Sequence, residues 1–186
     1  MKKIKLKPQA AVGPVPAALI SCGGLKGEKN IITLAWVGMV NSTPPMLSIS
    51  VRPSRYSYHL IMATKEFVVN IPSSTQAEVV EQCGIVSGAK VDKFAQFNLT
   101  PISGSLQYAP LIEECPISIE CTVAETMQLP SHDLFVGEIK AVWTAPEYCA
   151  GEMVDFSKVS VLGFANGYYL QTDFVNVRGF TVQKKG

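Results

Sequence analysis

From Met46 to Arg52 polar and apolar side chains alternate. Leu47, Ile49 and Val51 share one face of an extended strand, and Ser48, Ser50 and Arg52 share the other. Pro53 ends the strand, and Ser54 reads as the N-cap of a helix over residues 54–63. Strand signals recur along most of the chain. Residues 15–22 are apolar up to Gly23-Gly24, a polar turn follows at 26–29, and residues 30–40 (NIITLAWVGMV) return as the second arm of a hairpin. If that arm pairs with 46–52 through a turn at 41–45, its polar residues come near the serine-and-arginine face. A short strand is expected at 67–71, a helix at 75–83 capped by Ser73, and a helical turn at 91–97. Strand patterns resume at 116–129 and 134–144, with short strands at 161–164 and 168–172. Many strands and few helices predict a mainly β fold in one domain, residues 1–186. Its form is a closed or partly closed antiparallel barrel, because closure removes unpaired sheet edges.

Composition sharpens this reading. Hydrophobic residues make up 47% of the 186 and charged residues 17%, which points to surface buried in an oligomer or around a cofactor. A net charge of +1, with no basic block beyond the first few residues, argues against nucleic acid as a partner. No apolar run approaches the ~20 residues of a spanning helix. Pro8, Pro14 and Pro16 interrupt the stretch after the basic start, so no signal peptide is read. The expectation is a soluble, cytoplasmic protein with no membrane partner. Cys22, Cys83, Cys115, Cys121 and Cys149 are odd in number and form no C-x-x-C, so neither disulfides nor a zinc site are expected. Cys115 and Cys121 share a parity with Ile117, Ile119 and Val123 and read as small core hydrophobes.

The candidate chemistry lies where the alternating strand meets the helix. Hydroxyls and backbone N–H groups at a helix N-terminus form an anion site, and Arg52 and Arg55 could clamp a phosphate there. The same residues also fit a solvated strand end with two surface arginines. On the neighbouring strand Asn30 and Thr33 supply donors and acceptors, and Ala35 is small enough for a flat ring to approach the backbone. Trp36 reads as a packing or interface anchor and His59 as a half-buried helix residue. His59 and His132, the only histidines, make no metal site. There is no G-x-S-x-G, G-x-G-x-x-G or P-loop, and the glycines of GLKGEKN fall in a hairpin turn. An anion corner and a flat polar groove without acid–base machinery describe a cofactor carrier.

Six stretches carry a family resemblance through their order and spacing. They are PVPAALIS (14–21), NIITLAWVGMVNSTPPMLSISVRPSRYSYHLI (30–61), EFVVNIP (66–72), KFAQFNLTPISGS (93–105), APLIEECPISIECTVAET (109–126) and SHDLFVGEIKAVW (131–143). Together they resemble the flavin reductase-like, FMN-binding split-barrel family, and within it the flavoredoxin branch. The resemblance implies a six-stranded antiparallel Greek-key split β-barrel, a homodimer, and one non-covalent FMN per subunit near the dimer interface. It implies that Asn30, Thr33, Leu34, Ala35 and Trp36 contact the ring and ribityl, and that Ser48, Ile49, Ser50 and Arg52 lie along the ribityl. Ser54, Arg55, Tyr56 and Ser57 would hold the phosphate, and Asn70 would approach from another side. Relatives that use NAD(P)H carry Gly-Asp-His ahead of the strand that begins here at Leu134. This chain reads Pro130-Ser131-His132, keeping only the histidine as the candidate catalytic residue. The function implied is that of an FMN redox protein. It is either a flavoredoxin-like electron carrier for a redox partner protein or an NAD(P)H:flavin oxidoreductase. The alternative is a non-catalytic flavin- or haem-binding module of the same fold.

Overall fold

The computed structural model describes residues 1–172. Residues 173–186, the end of the expected single domain, lie outside the described residues. The strands are β1 (Val15–Pro16), β2 (Ala18–Gly23), β3 (Lys29–Leu34), β4 (Val37–Ser42), β5 (Pro45–Val51), β6 (Glu66–Ile71), β7 (Pro101–Ile102), β8 (Leu111–Ile112), β9 (Ile117–Gln128), β10 (Asp133–Thr144), β11 (Cys149–Ala150), β12 (Met153–Val154), β13 (Leu162–Ala165) and β14 (Tyr168–Gln171). The α-helices are α1 (Tyr56–Thr64), α2 (Ala77–Ile85) and α3 (Lys93–Gln96).

One antiparallel sheet of seven strands, in the order β3-β2-β6-β9-β10-β5-β4, dominates. Its two outermost strands are consecutive in sequence and joined only by Ala35 and Trp36. Three residue steps span at most about 11 Å, so the sheet must curl until its opposite edges meet. The backbone N–H of Ser50 in β5 donates to the Trp36 carbonyl at 3.1 Å, one step beyond the Val37–Ile49 pair, so the β4–β5 ladder runs up to the corner. The single strand expected over 30–40 is therefore two half-strands around a corner. Its first half pairs with β2, and only its second half pairs with β5. Counted as one bent strand, they leave the six strands expected of a split barrel.

The alternation of β5 is as read. Leu47, Ile49 and Val51 are buried in the barrel interior with Ile20, Phe67 and Phe135. β2 is buried on both faces: Ala18, Ile20 and Cys22 point into the barrel, while Leu19 joins Val80, Cys83 and Phe94 in a second apolar layer under α2 and α3. Of the cysteine pair read as one face, Cys121 lies in the barrel and Cys115 in the outer layer, since Cys115 precedes β9 and does not follow its pleat. All five thiols are free.

Helix α1 begins later than expected. The residue in N-cap geometry is Arg55, not Ser54, and no side chain accepts from the first turn. The turn leaving β5 carries the chain two residues further before it coils, with Arg55 N donating to the Arg52 carbonyl at 2.9 Å. Helix α2 is preceded by a short 3-10 turn (Ser74–Gln76), where Ser73 N donates to Gln76 Oε1 at 2.8 Å, so Ser73 does open this helical stretch.

Gly137 sits where β10 slips register against β9, and its missing side chain makes room for the barrel core. A Cβ there would stand 2.5 Å from Phe67 Cζ and 2.9 Å from Cys121 Cβ. Gly137→Ala should cost about 1–3 kcal/mol of stability through overpacking. Gly38→Ala on exposed β4, where a Cβ meets nothing within 4 Å, should change it by less than about 0.5 kcal/mol. Urea denaturation of the two variants checks the contrast.

Candidate functional site

The barrel corner, the end of β5, the start of α1 and the end of α2 enclose two connected cavities that share Ile32, Arg55 and Gly84. The larger, of about 210 Å³, is lined by Thr33, Leu34, Ala35 and Trp36 from the corner, by Ser50 and Arg52 from β5, and by His132. The smaller, of about 60 Å³, lies deeper, between Asn30, Ser57, Gly88 and Lys93.

Backbone connections explain why polar groups collect here. The corner breaks the ladder, so the residues at and beside it face a gap between sheet edges. α2 packs closely on β3: a Cβ on Gly84 would come 3.3 Å from Thr33 Cβ, and Thr33 Oγ1 donates to the Val80 carbonyl. The larger cavity thus has a flat wall of small side chains, ending in a half-exposed indole.

The smaller cavity is built for an anion. α1 starts without a side-chain cap and without an acidic residue in its first turn, which leaves N–H groups and the positive dipole end available. Lys93 is only 3% exposed, and its ammonium donates to the Ile31 carbonyl at 2.7 Å and the Cys83 carbonyl at 2.6 Å. An ammonium has three donors, so one remains for the cavity it lines. Burial holds the Lys93 pKa below its ordinary 10.5, and Arg55 lowers it further. Asn30 Nδ2 donates to Ser57 Oγ at 2.7 Å, while its Oδ1 is buried with no partner. A Cβ on Gly88 would collide with that oxygen, so glycine keeps the cavity open. Among the described residues the ion pairs are Glu138–Lys140 and Asp155–Lys158, and no carboxylate neutralises Arg52, Arg55 or Lys93.

At the outer lip, Arg52 Nε donates to His132 Nε2 at 3.3 Å, and His132 Nδ1 lies 2.9 Å from Ser131 Oγ. Trp36 covers the imidazole, with ring centroids 4.7 Å apart. Burial first, then Arg52 and Arg55, keeps the His132 pKa below 6.5. At neutral pH the imidazole is therefore uncharged.

Of the residues singled out in the sequence, Asn30, Thr33, Leu34, Ala35, Trp36, Ser50, Arg52, Ser54, Arg55, Tyr56, Ser57 and His132 line the two cavities. Three do not. Ile49 points into the barrel core, and Ser48, two residues before Ser50 on β5, lines neither cavity. Asn70 is fully buried elsewhere. Its Nδ2 donates to the Leu19 carbonyl (3.0 Å) and Ser21 Oγ (2.9 Å), and its Oδ1 accepts from Ile112 N (3.0 Å) and Ser118 Oγ (2.7 Å). It stitches β2, β6, β8 and β9 together. Sequence reasoning missed Lys93, Gly84 and Gly88. A lysine beginning a four-residue helix carries no burial signal. The only hint is the pair of apolar residues close by, Val91 and Phe94.

Residues 13–170 match the family described as the flavin reductase like domain. The chain belongs to this family. With membership comes flavin-binding redox function at the family's level. The fold matches the flavoredoxin of Desulfovibrio vulgaris (Miyazaki F) with a TM-score of 0.90 and 29% identity, covering 98% of this chain and all (100%) of that one. The flavoredoxin of Methanosarcina acetivorans gives 0.90 and 33%, covering 98% and 97%. Among curated sequences, an uncharacterised Archaeoglobus fulgidus protein is 36% identical over 60% of this chain. The FMN reductase (NADH) RutF of Acinetobacter baylyi is 26% identical over 72% of this chain and 66% of its own. The aligned part spans 63% of the Archaeoglobus relative and 48% of one from Aeropyrum pernix, under two thirds of either.

Asn70→Ala strands several buried partners, each costing about 1–3 kcal/mol when left unsatisfied. The variant should lose at least about 2 kcal/mol in urea denaturation, yet bind flavin with unchanged affinity wherever it remains folded. A weakened flavin affinity in the folded variant would move Asn70 back to the site.

Proposed function

We propose that the two cavities hold FMN, and that the protein is a flavoredoxin-like electron carrier. The phosphate sits in the inner cavity at the start of α1, and the ring lies against the wall of Thr33, Ala35 and Trp36. One observation carries this reading: a buried, uncompensated Lys93 ammonium beside an uncapped helix start. Burying a charge without a counter-ion is costly, and a phosphate dianion supplies that counter-ion.

The residues fit the group. The inner cavity offers donors for phosphate oxygens, and the orphan Asn30 Oδ1 is an acceptor for a ribityl hydroxyl. A cavity of about 60 Å³ lined by Lys93, Arg55 and the start of α1 suits the terminal monoester of FMN. The flavin supplies the redox chemistry, taking up electrons from one partner and passing them to another. The chain supplies phosphate affinity, a flat ring platform and an open lip through which the ring edge meets donor or acceptor. A haem fits less well, because the lone pair of His132 Nε2, the histidine nitrogen facing the cleft, already accepts from Arg52.

Relatives named as flavoredoxins and as an NADH-dependent FMN reductase leave two donor classes, a redox protein or a nicotinamide. Identity of 29–33% over nearly the whole length favours the carrier. We also propose a homodimer. Trp36, Met39 and Val40 are 51%, 63% and 52% exposed beside the cleft, and a second copy covering them would hide apolar surface near the flavin. Five free thiols support a cytoplasmic location.

Reconstituted protein mixed anaerobically with NADH or NADPH should keep its flavin absorbance, and bleach only with dithionite or a reduced redox protein. Rapid bleaching by a nicotinamide makes it a reductase instead. Removing one charge-assisted hydrogen bond costs about 1.5–3 kcal/mol, or roughly 10- to 150-fold in affinity. Arg55→Ala and Lys93→Met should each weaken FMN by that order and leave riboflavin, which lacks the phosphate, nearly unchanged. Equal loss for both ligands would displace the phosphate from this cavity. The preference for FMN over riboflavin should also fall at alkaline pH. Burial holds the Lys93 pKa below its ordinary 10.5, so Lys93 loses its proton at lower pH than an ordinary lysine, and the neutral amine no longer attracts the dianion.

A further inference from the structure

We infer that His132 is a positioning residue: it holds the Arg52 guanidinium over the ring end of the cleft, where that cation raises the reduction potential of the bound flavin. The inference rests on the FMN reading above.

Arg52 is the first residue after β5 and is solvent-exposed, so its long side chain has many rotamers available. One bond narrows them: Nε donates to His132 Nε2 at 3.3 Å. That bond uses one of five guanidinium donors and leaves the four Nη hydrogens free. Nε2 can accept only when the imidazole proton is on Nδ1. Ser131 Oγ, 2.9 Å from Nδ1, is the acceptor that selects this tautomer. Trp36 closes the other side of the imidazole at 4.7 Å between ring centroids. The relay therefore runs from the Ser131 hydroxyl through a neutral imidazole to a fixed cation.

The cation's place decides what it acts on. Arg52 and His132 line the larger cavity with the flat wall, and neither lines the inner cavity that holds Lys93. Among the described residues no carboxylate pairs with Arg52, and none lines the larger cavity. When the flavin takes up two electrons and one proton, the ring gains one negative charge. A fixed, unpaired cation beside it favours the reduced over the oxidised form. The chain's departure from Gly-Asp-His gains a physical content here: a neutral serine beside His132 orients the ring without adding a carboxylate that would compete for Arg52.

The test uses full-length protein reconstituted with FMN, titrated anaerobically with dithionite against a reference dye. Arg52→Ala should lower the preference for the reduced flavin about tenfold, a shift of about −30 mV for a two-electron couple. His132→Ala should shift the potential in the same direction. His132→Gln, whose amide oxygen can accept from Arg52 Nε, should recover most of the loss, whereas the shorter His132→Asn should not. The double variant Arg52→Ala/His132→Ala should match Arg52→Ala alone, because His132 acts only through the arginine. Full additivity of the two shifts, or an unmoved potential in Arg52→Ala, overturns the inference while FMN binding stands. A wild type that takes up no FMN overturns the functional reading and this one with it. In the ligand-free protein, nitrogen NMR should show His132 protonated on Nδ1, and protonation on Nε2 overturns the relay directly.

Discussion

Two residues, Ala35 and Trp36, connect strands that stand at opposite edges of a seven-stranded sheet. Every other feature depends on this short tether. It obliges the sheet to close on itself, and it interrupts the hydrogen-bond ladder at the point of closure. Corners of closed sheets are where backbone and small side chains can face a ligand without competing for ladder bonds. The gap at the seam is the larger cavity, and the strand that arrives from across it, β5, delivers Ser50, Arg52 and then the start of α1. Closure and cavity are one geometric event.

The inner cavity shows a second economy. The Lys93 ammonium binds the Ile31 carbonyl on β3 and the Cys83 carbonyl in the last turn of α2. A cation at that helix end also meets the negative pole of the helix dipole. The group best suited to an anion is thus also a clasp between sheet and helix. Its burial works against the ligand-free protein, because the ammonium is desolvated without a counter-charge. Anion affinity and unliganded stability are opposed at this one side chain.

Sequence carried much of this, and the exceptions share a cause. The pleat of β5 was legible because the face buried in the barrel is strictly apolar. The cavity wall of Thr33 to Trp36 and the corner at Arg52 and Arg55 follow from that strand and its neighbour. The break in residues 30–40 was not legible, because NIITLAWVGMV contains no proline and its one glycine follows the corner. The bend is imposed by pairing with two distant strands, a tertiary effect. Ser54 has the right chemistry for a cap, yet the β5 turn sets the helix start at Arg55. Asn70 was expected near the flavin only through the family resemblance. In the structure its two amide atoms are partnered by β2, β8 and β9, which no local pattern in the sequence shows.

The two tryptophans occupy opposite ends of this design. Trp36 lies half-exposed on the lip of the cleft against His132. Trp143 lies near the far end of β10, its indole N–H held by the Glu120 carboxylate at 2.8 Å. Any molecule entering the cleft changes the surroundings of one indole directly and leaves the other in its fixed polar clamp. The chain's own ultraviolet emission therefore contains one component from the cleft and one from outside it, separable by replacing either tryptophan with phenylalanine.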